Sequence, residues 1–220
     1  SVGGPREAWP VDLDLDGDID IVQAVEGADD DLVWYENNGS QNFTKNTIDG
    51  SPGGSARSVS VGDIDGDGDL DISLTTYSSS NFYWYENNGS QSFTRRTIST
   101  DNTLFPVLID LDEDGDFDFV SHINDGSNKI AWYENDGSEN FTQNIIANDY
   151  GAQLAVADLD EDGDYDVIGA DYTNGHINWY ENNGSESFTK NTIDNSDMTN
   201  AWDIKVCLLY TSPSPRDGHQ

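Results

Sequence analysis

The feature that most constrains this chain is a nine-residue acidic stretch that occurs four times. Its copies run Asp12–Asp20 (DLDLDGDID), Asp63–Asp71 (DIDGDGDLD), Asp110–Asp118 (DLDEDGDFD) and Asp158–Asp166 (DLDEDGDYD). Each carries Asp at positions 1, 3, 5, 7 and 9: Asp12, Asp14, Asp16, Asp18 and Asp20; Asp63, Asp65, Asp67, Asp69 and Asp71; Asp110, Asp112, Asp114, Asp116 and Asp118; Asp158, Asp160, Asp162, Asp164 and Asp166. Glycine occupies position 6 throughout. Five carboxylates so close together repel one another unless a cation lies between them. Oxygen donors at alternating positions, with a glycine to allow a sharp turn, suit a hard cation with six to eight oxygen ligands, which is Ca²⁺. The expected ligands are the side chains at positions 1, 3, 5 and 9 and the backbone carbonyl at position 7. The expected load is about one Ca²⁺ per unit, four in total.

The spacing resembles an EF-hand loop, but that loop needs a bidentate Glu at position 12 and a helix on either side. Position 12 here is Gln23, Leu74, Ser121 or Gly169, and the flanks, such as Ser58-Val59-Ser60-Val61, alternate like strands. An EF-hand is therefore excluded. A purely solvated acidic turn that binds nothing would account for one copy, but four copies in one register argue against it.

The first Asp of each loop falls at 12, 63, 110 and 158, a period of 47 to 51 residues. A second repeat follows each loop: Trp34-Tyr35-Glu36-Asn37-Asn38-Gly39-Ser40 and its counterparts from Trp84, Trp132 and Trp179. Then comes Phe-Thr and a β-branched run, at Phe43, Phe93, Phe141 and Phe188. In the second unit this predicts strands at about Arg57–Gly62, Asp71–Tyr77, Asn81–Asn87 and Ser92–Ser99. The acidic loop joins the first two, and Asn-Gly or Asp-Gly turns, whose residues tolerate positive φ, join the last two. Four antiparallel strands per unit make a propeller blade. Adjacent strand residues point to opposite faces, so the Trp-Tyr pair puts a large aromatic on each face, as blades stacked face to face require. The expected fold is an all-β propeller with blades at about 5–50, 51–99, 100–147 and 148–195, and a partial fifth at 196–206.

The formal net charge is −34, and the four loops hold about half of the 43 acidic residues. Bulk electrostatics therefore exclude nucleic acid and anionic membranes as partners, and no apolar run is long enough for membrane insertion. Cys207 is the single cysteine, so no intrachain disulfide forms. No nucleophile elbow, zinc-protease motif or phosphate-binding glycine loop is present. His122 and His176 fall at unrelated places in their units. Repeated, equivalent carboxylates fit structural metal sites better than one catalytic centre.

The loops together with WYEN and the terminal Phe-Thr strand make residues 5 to about 206 resemble the FG-GAP/VCBS-type repeats of integrin-like β-propellers. The Phe-Gly and Gly-Ala-Pro signature is echoed only by Gly53-Gly54-Ser55-Ala56. The resemblance implies one Ca²⁺ per loop and a secreted or cell-surface module for adhesion or recognition of a protein or glycan ligand, read as an arc of a seven-bladed parent. A propeller lectin is the main alternative, and a propeller polysaccharide lyase or phytase a lesser one. Residues 207–217 resemble the translation of a sequencing-library adapter, so 207–220 is expected to be a non-native disordered tail.

Overall fold

The computed structural model describes residues 4–26, 31–149, 153–171 and 174–195. The expected start of a fifth unit at 196–206 and the tail at 207–220 lie outside them. The first sheet is β1 (Pro5–Val11), β2 (Asp20–Val25), β3 (Asp31–Asn37) and β4 (Phe43–Asp49). The second is β5 (Ala56–Gly62), β6 (Asp71–Thr76), β7 (Phe82–Asn87) and β8 (Phe93–Ser99). The third is β9 (Thr103–Ile109), β10 (Asp118–Ile123), β11 (Lys129–Asn135) and β12 (Phe141–Ala147). The fourth is β13 (Leu154–Ala157), β14 (Asp166–Asp171), β15 (His176–Asn182) and β16 (Phe188–Asp194). Every sheet is an antiparallel meander in sequence order, and no helix occurs among the described residues.

The first strands of successive sheets lie side by side, β1 against β5, β5 against β9 and β9 against β13. Glu7, Val59, Val107 and Leu154, one from each, line a common cavity of about 380 Å³. The fourth strands are the outer edges. Their polar, largely exposed faces, with Lys45, Arg95, Arg96 and Lys190, discourage edge-to-edge pairing.

Apolar packing occurs between sheets. Trp34 joins Leu13 and Val22 against Val59, Ile72 and Tyr85 of the second sheet. Trp84 and Phe82 pack with Phe119 and Tyr133 of the third, and Trp132 with Val167 and Tyr180 of the fourth. Trp132 thus faces the following sheet and Tyr133 the preceding one, as strand alternation requires. Edge-on ring contacts, such as Phe82–Phe119 at 4.9 Å and Trp84–Phe141 at 6.4 Å, add aromatic attraction to area burial.

Each fourth strand carries one bulge. In the first sheet Leu32 pairs with Asp49 and Val33 with Thr47, leaving Ile48 unpaired. Ile98, Ile146 and Ile193 are skipped in the same way. The bulge turns the Ile out of the strict two-residue alternation, and Ile48, Ile98 and Ile146 pack onto the inter-sheet cores.

The hairpin between third and fourth strands forms where the Asn-Gly signal predicts it, but the turn differs. The connection spans five residues, with left-handed φ at Gly39 (71°) and Gln41 (61°) and not at Asn38. Asn38 acts through its side chain, its Oδ1 accepting the Ser40 amide at 3.0 Å. The same pattern recurs at Gly89 and Gln91, Gly137 and Glu139, and Gly184 and Glu186.

Candidate metal centres

Each acidic loop is pinched shut by the last rung of the ladder between first and second strands. Val11 pairs with Asp20, Gly62 with Asp71, Ile109 with Asp118 and Ala157 with Asp166. Position 9 therefore opens the second strand, and Asp20, Asp71, Asp118 and Asp166 are each 0% exposed. An ionised carboxylate in such a place must be hydrogen-bonded or neutralised. Two amides meet it. The loop's own position 2 donates to one oxygen, as Ile64 does to Asp71 Oδ2 at 3.1 Å. The other oxygen accepts the amide of the WYEN asparagine, at 2.7 Å from Asn37 and 2.8 Å from Asn87, Asn135 and Asn182.

The remaining loop geometry follows from short-range hydrogen bonding. The Gly at position 6 donates to Oδ2 of position 1 at 3.0 to 3.2 Å in all four copies. Position 5 accepts the amide of position 7, as Asp67 does from Asp69 at 2.9 Å. The position 6 glycines have φ from 97° to 105°, a conformation that strains any residue with a Cβ.

The outcome is one group of three carboxylates per loop, with an oxygen from each lying within 4.8 Å of the others. The groups are Asp12, Asp14 and Asp20; Asp63, Asp65 and Asp71; Asp110, Asp112 and Asp118; and Asp158, Asp160 and Asp166. Positions 1, 3 and 9 are brought together. Position 5 (Asp16, Asp67, Asp114 and Asp162) stays outside the group and closes the turn. Position 7 faces away from it: a Cβ placed on Gly39, Gly89, Gly137 or Gly184 would strike the carboxylate of Asp18, Asp69, Asp116 or Asp164.

The donor set fits a hard cation. Oδ1 of Asp12, Asp63 and Asp110 is buried and has no hydrogen-bond partner. An orphaned carboxylate oxygen beside two further carboxylates is an acceptor without a donor, a donor set of the kind that suits a hard cation. The fourth loop departs slightly, since Oδ1 of Asp158 accepts the Asp162 amide at 3.2 Å. Burial pushes the carboxyls of Asp71 and Asp118 up to about 7, against the opposing amides of Asn87 and Asn135. Burial likewise raises Asp14, Asp65 and Asp112 above the ordinary carboxylate range, with neighbouring loop carboxylates adding to the effect.

The WYEN asparagine is a functional residue that pattern reading alone missed. Besides its backbone bond to position 9, its Nδ2 donates to the position 8 carbonyl, at 3.1 Å from Asn87 to Leu70. Its recurrence after every Trp-Tyr-Glu was the available signal. Asn135 also reaches the Ile64 carbonyl of the preceding loop at 3.1 Å, tying neighbouring sheets. At the same junction Asp65 meets Glu86 and Glu139, with Arg96 bridging the two glutamates at 2.6 and 3.0 Å. His122 is buried on β10, and desolvation lowers its imidazole to about 4, so it is neutral.

These features define an all-β repeat protein with one acidic three-carboxylate centre between the first two strands of every sheet. The family model of the FG-GAP-like repeat matches three times, over residues 12–74, 66–121 and 110–169, and the chain belongs to that family. A comparison with curated proteins finds no match.

Proposed function

We propose that this chain is a non-catalytic, Ca²⁺-stabilised β-propeller module of a secreted or surface protein, serving adhesion or ligand recognition. The observation that carries the reading is the repeated centre, in which three carboxylates converge and a buried position 1 oxygen lacks a donor in three of the four copies. One cation per loop satisfies that oxygen, neutralises the buried position 9 carboxylate and ties the first two strands together. The propeller reading is supported by four meander sheets whose first strands share one cavity and whose large aromatics pack on both faces. Loops of this kind bind Ca²⁺ at about 10⁻⁴ to 10⁻³ M, concentrations found outside cells.

An enzymatic role as lyase or phytase needs a localised cluster of free basic, Tyr or His groups. Arg95 is held on Asp49, Arg96 between Glu86 and Glu139, and Lys129 on Asp125. A lectin is the second reading, favoured by a polar cleft of about 510 Å³ between the first two sheets, lined by Asp14, Glu36, Asn46 and Gln91 beside Trp34. Retention on a glycan array, lost in Asn46→Ala, supports the lectin; an array without retention removes it.

The deciding experiment titrates Ca²⁺ calorimetrically into the chelator-stripped protein. About four sites per chain are expected, and absence of binding at millimolar Ca²⁺ refutes the proposal.

A further inference from the structure

Seven basic side chains lie among the described residues, and six of them make ion pairs. Arg6 meets Glu26, Lys45 meets Asp31, Arg95 meets Asp49, Lys129 meets Asp125 and Lys190 meets Asp149, while Arg96 bridges Glu86 and Glu139. Arg57 is the seventh. In a chain of net charge −34, it makes no ion pair with any described residue.

Arg6 and Arg57 occupy the same place in successive sheets. Each is the extra residue of a bulge in a first strand, between Pro5 and Glu7 on β1 and between Ala56 and Ser58 on β5. A bulge re-aims the side chain it carries. The facing residue corresponds too. The Glu26 amide donates to the Gly4 carbonyl at 3.1 Å and the Tyr77 amide to the Ser55 carbonyl at 2.9 Å, each acceptor lying two residues before its arginine. On the first sheet the facing side chain is thus a carboxylate, and Arg6 bonds it. On the second it is a ring, and the Arg57 guanidinium lies 4.8 Å from the Tyr77 centroid. Glu26 also feels the charge of Arg57, but its carboxylate accepts from Arg6.

Phe105 faces the same guanidinium from the third sheet, with its ring centroid 5.5 Å away. It sits at the bulge of β9, where Leu104 pairs with His122 and Val107 with Val120. Its φ is 52°, strained backbone for a bulky L-residue, and such strain gathers at ligand clamps. Two rings so placed hold the guanidinium without using its N–H donors. Ser58 and Phe105 also line the cavity between the first strands, so a recess lies beside the site.

We infer that Arg57 binds an isolated carboxylate of a ligand, as Arg6 binds that of Glu26. The planar fork matches a carboxylate with two N–H bonds at once, and Tyr77, 47% exposed, leaves the site open to solvent. A single carboxylate suits it better than a polyanion, which the net charge of −34 repels. Acidic sugars and acidic peptide side chains both carry such a group. The inference rests on the bulges and the two rings and is independent of metal in the loops.

Titration of the isotope-labelled full chain, followed by NMR at the amides of Arg57, Tyr77 and Phe105, tests it. The probes are sodium glucuronate and N-acetylaspartate amide, with glucose and N-acetylasparagine amide as neutral counterparts at matched ionic strength. Saturable shifts are expected with at least one carboxylate and with neither neutral molecule, and the carboxylate that acts separates the sugar source from the peptide source. Arg57→Gln weakens binding at least about tenfold, the loss expected when hydrogen bonds to a charged group are removed. Tyr77→Glu does the same while keeping the arginine, since it sets a carboxylate opposite Arg57 as Glu26 stands opposite Arg6. Neither residue is buried, and an otherwise unchanged amide spectrum reports an intact fold. No saturable shift with either carboxylate, equal shifts with the neutral counterparts, or full-strength binding by either variant overturns the inference.

Discussion

Leu15, Glu113 and Glu161 occupy position 4 of their loops with φ of 58° to 62°, where the second loop has Gly66 at 74°. A left-handed conformation costs an L-residue about 1–2 kcal/mol, because its Cβ crowds the following carbonyl. Leu15→Gly is therefore expected to stabilise the protein by about 0.5–1 kcal/mol after the extra unfolded-state entropy of glycine is subtracted, read as a rise in the urea midpoint. Leu15 is also 58% exposed, so little packing is lost. The buried carboxyls give a second prediction. Asp71 and Asp118, pushed up to about 7 by desolvation, hold protons in the folded metal-free state that they release on unfolding near neutrality. A folded carboxyl raised above its unfolded value favours folding at low pH, and that contribution is lost as pH climbs towards 7. Melting of the chelator-treated protein should thus shift to higher temperature between pH 7.5 and 5. The added stability from Ca²⁺ should shrink over the same window, as protons compete for the Asp71 and Asp118 oxygens. A metal-free melting point that instead rises with pH would contradict the burial of these carboxyls.

The unit of construction is the sheet with its loop and hairpin, and its junctions carry the stability. Trp84 is 1% exposed inside a junction and Trp179 is half-buried at the end of the row. Trp84→Ala is expected to cost about 3–5 kcal/mol and Trp179→Ala well under half as much, compared by denaturant unfolding. Gly89 has φ 72° and a Cβ there strikes the Asp69 carboxylate, so Gly89→Ala should cost about 1–2 kcal/mol and loosen the hairpin over the second loop. Much of this element was legible in advance. The second strand of the second unit, expected over Asp71–Tyr77, forms over Asp71–Thr76, and the Trp-Tyr pair faces two different sheets as alternation requires. What was not legible depends on register set between strands. The bulge at Ile48 arises from the pairing of β3 with β4, and nothing local in Thr47-Ile48-Asp49 announces it. The left-handed hairpin residue Gln41 is likewise an ordinary residue, forced into that conformation by a five-residue connection. The separation of the five aspartates into three converging and two turned away follows from amides at positions 6 and 7, whose targets only the folded loop defines.

For the molecule as a whole, the question is what holds together a chain with net charge −34 and no disulfide. Monovalent salt and Ca²⁺ both reduce self-repulsion, but they do so differently, and the difference is measurable. Salt screens charges spread over the surface and reaches the buried position 9 carboxylates poorly, since Asp20, Asp71, Asp118 and Asp166 are fully covered. A bound ion acts by mass action, adding RT ln(1 + [L]/Kd) for each site that exists only when folded. With Kd about 1 mM, 10 mM Ca²⁺ contributes about 1.4 kcal/mol per loop and roughly 6 kcal/mol for four independent loops, comparable with the whole stability of many domains. Thermal melts at matched ionic strength should therefore rise steeply with CaCl₂ and only slightly with NaCl. Because neighbouring sheets share apolar cores, removing one centre should also lower the single cooperative transition and not release one sheet alone. Asp63→Ala, which deletes the orphaned oxygen of the second loop, is expected to lose about a quarter of the Ca²⁺-dependent increment while keeping one transition. Equal responses to the two salts would mean that the loops are screened and not bound, and would remove the metal from this account of stability.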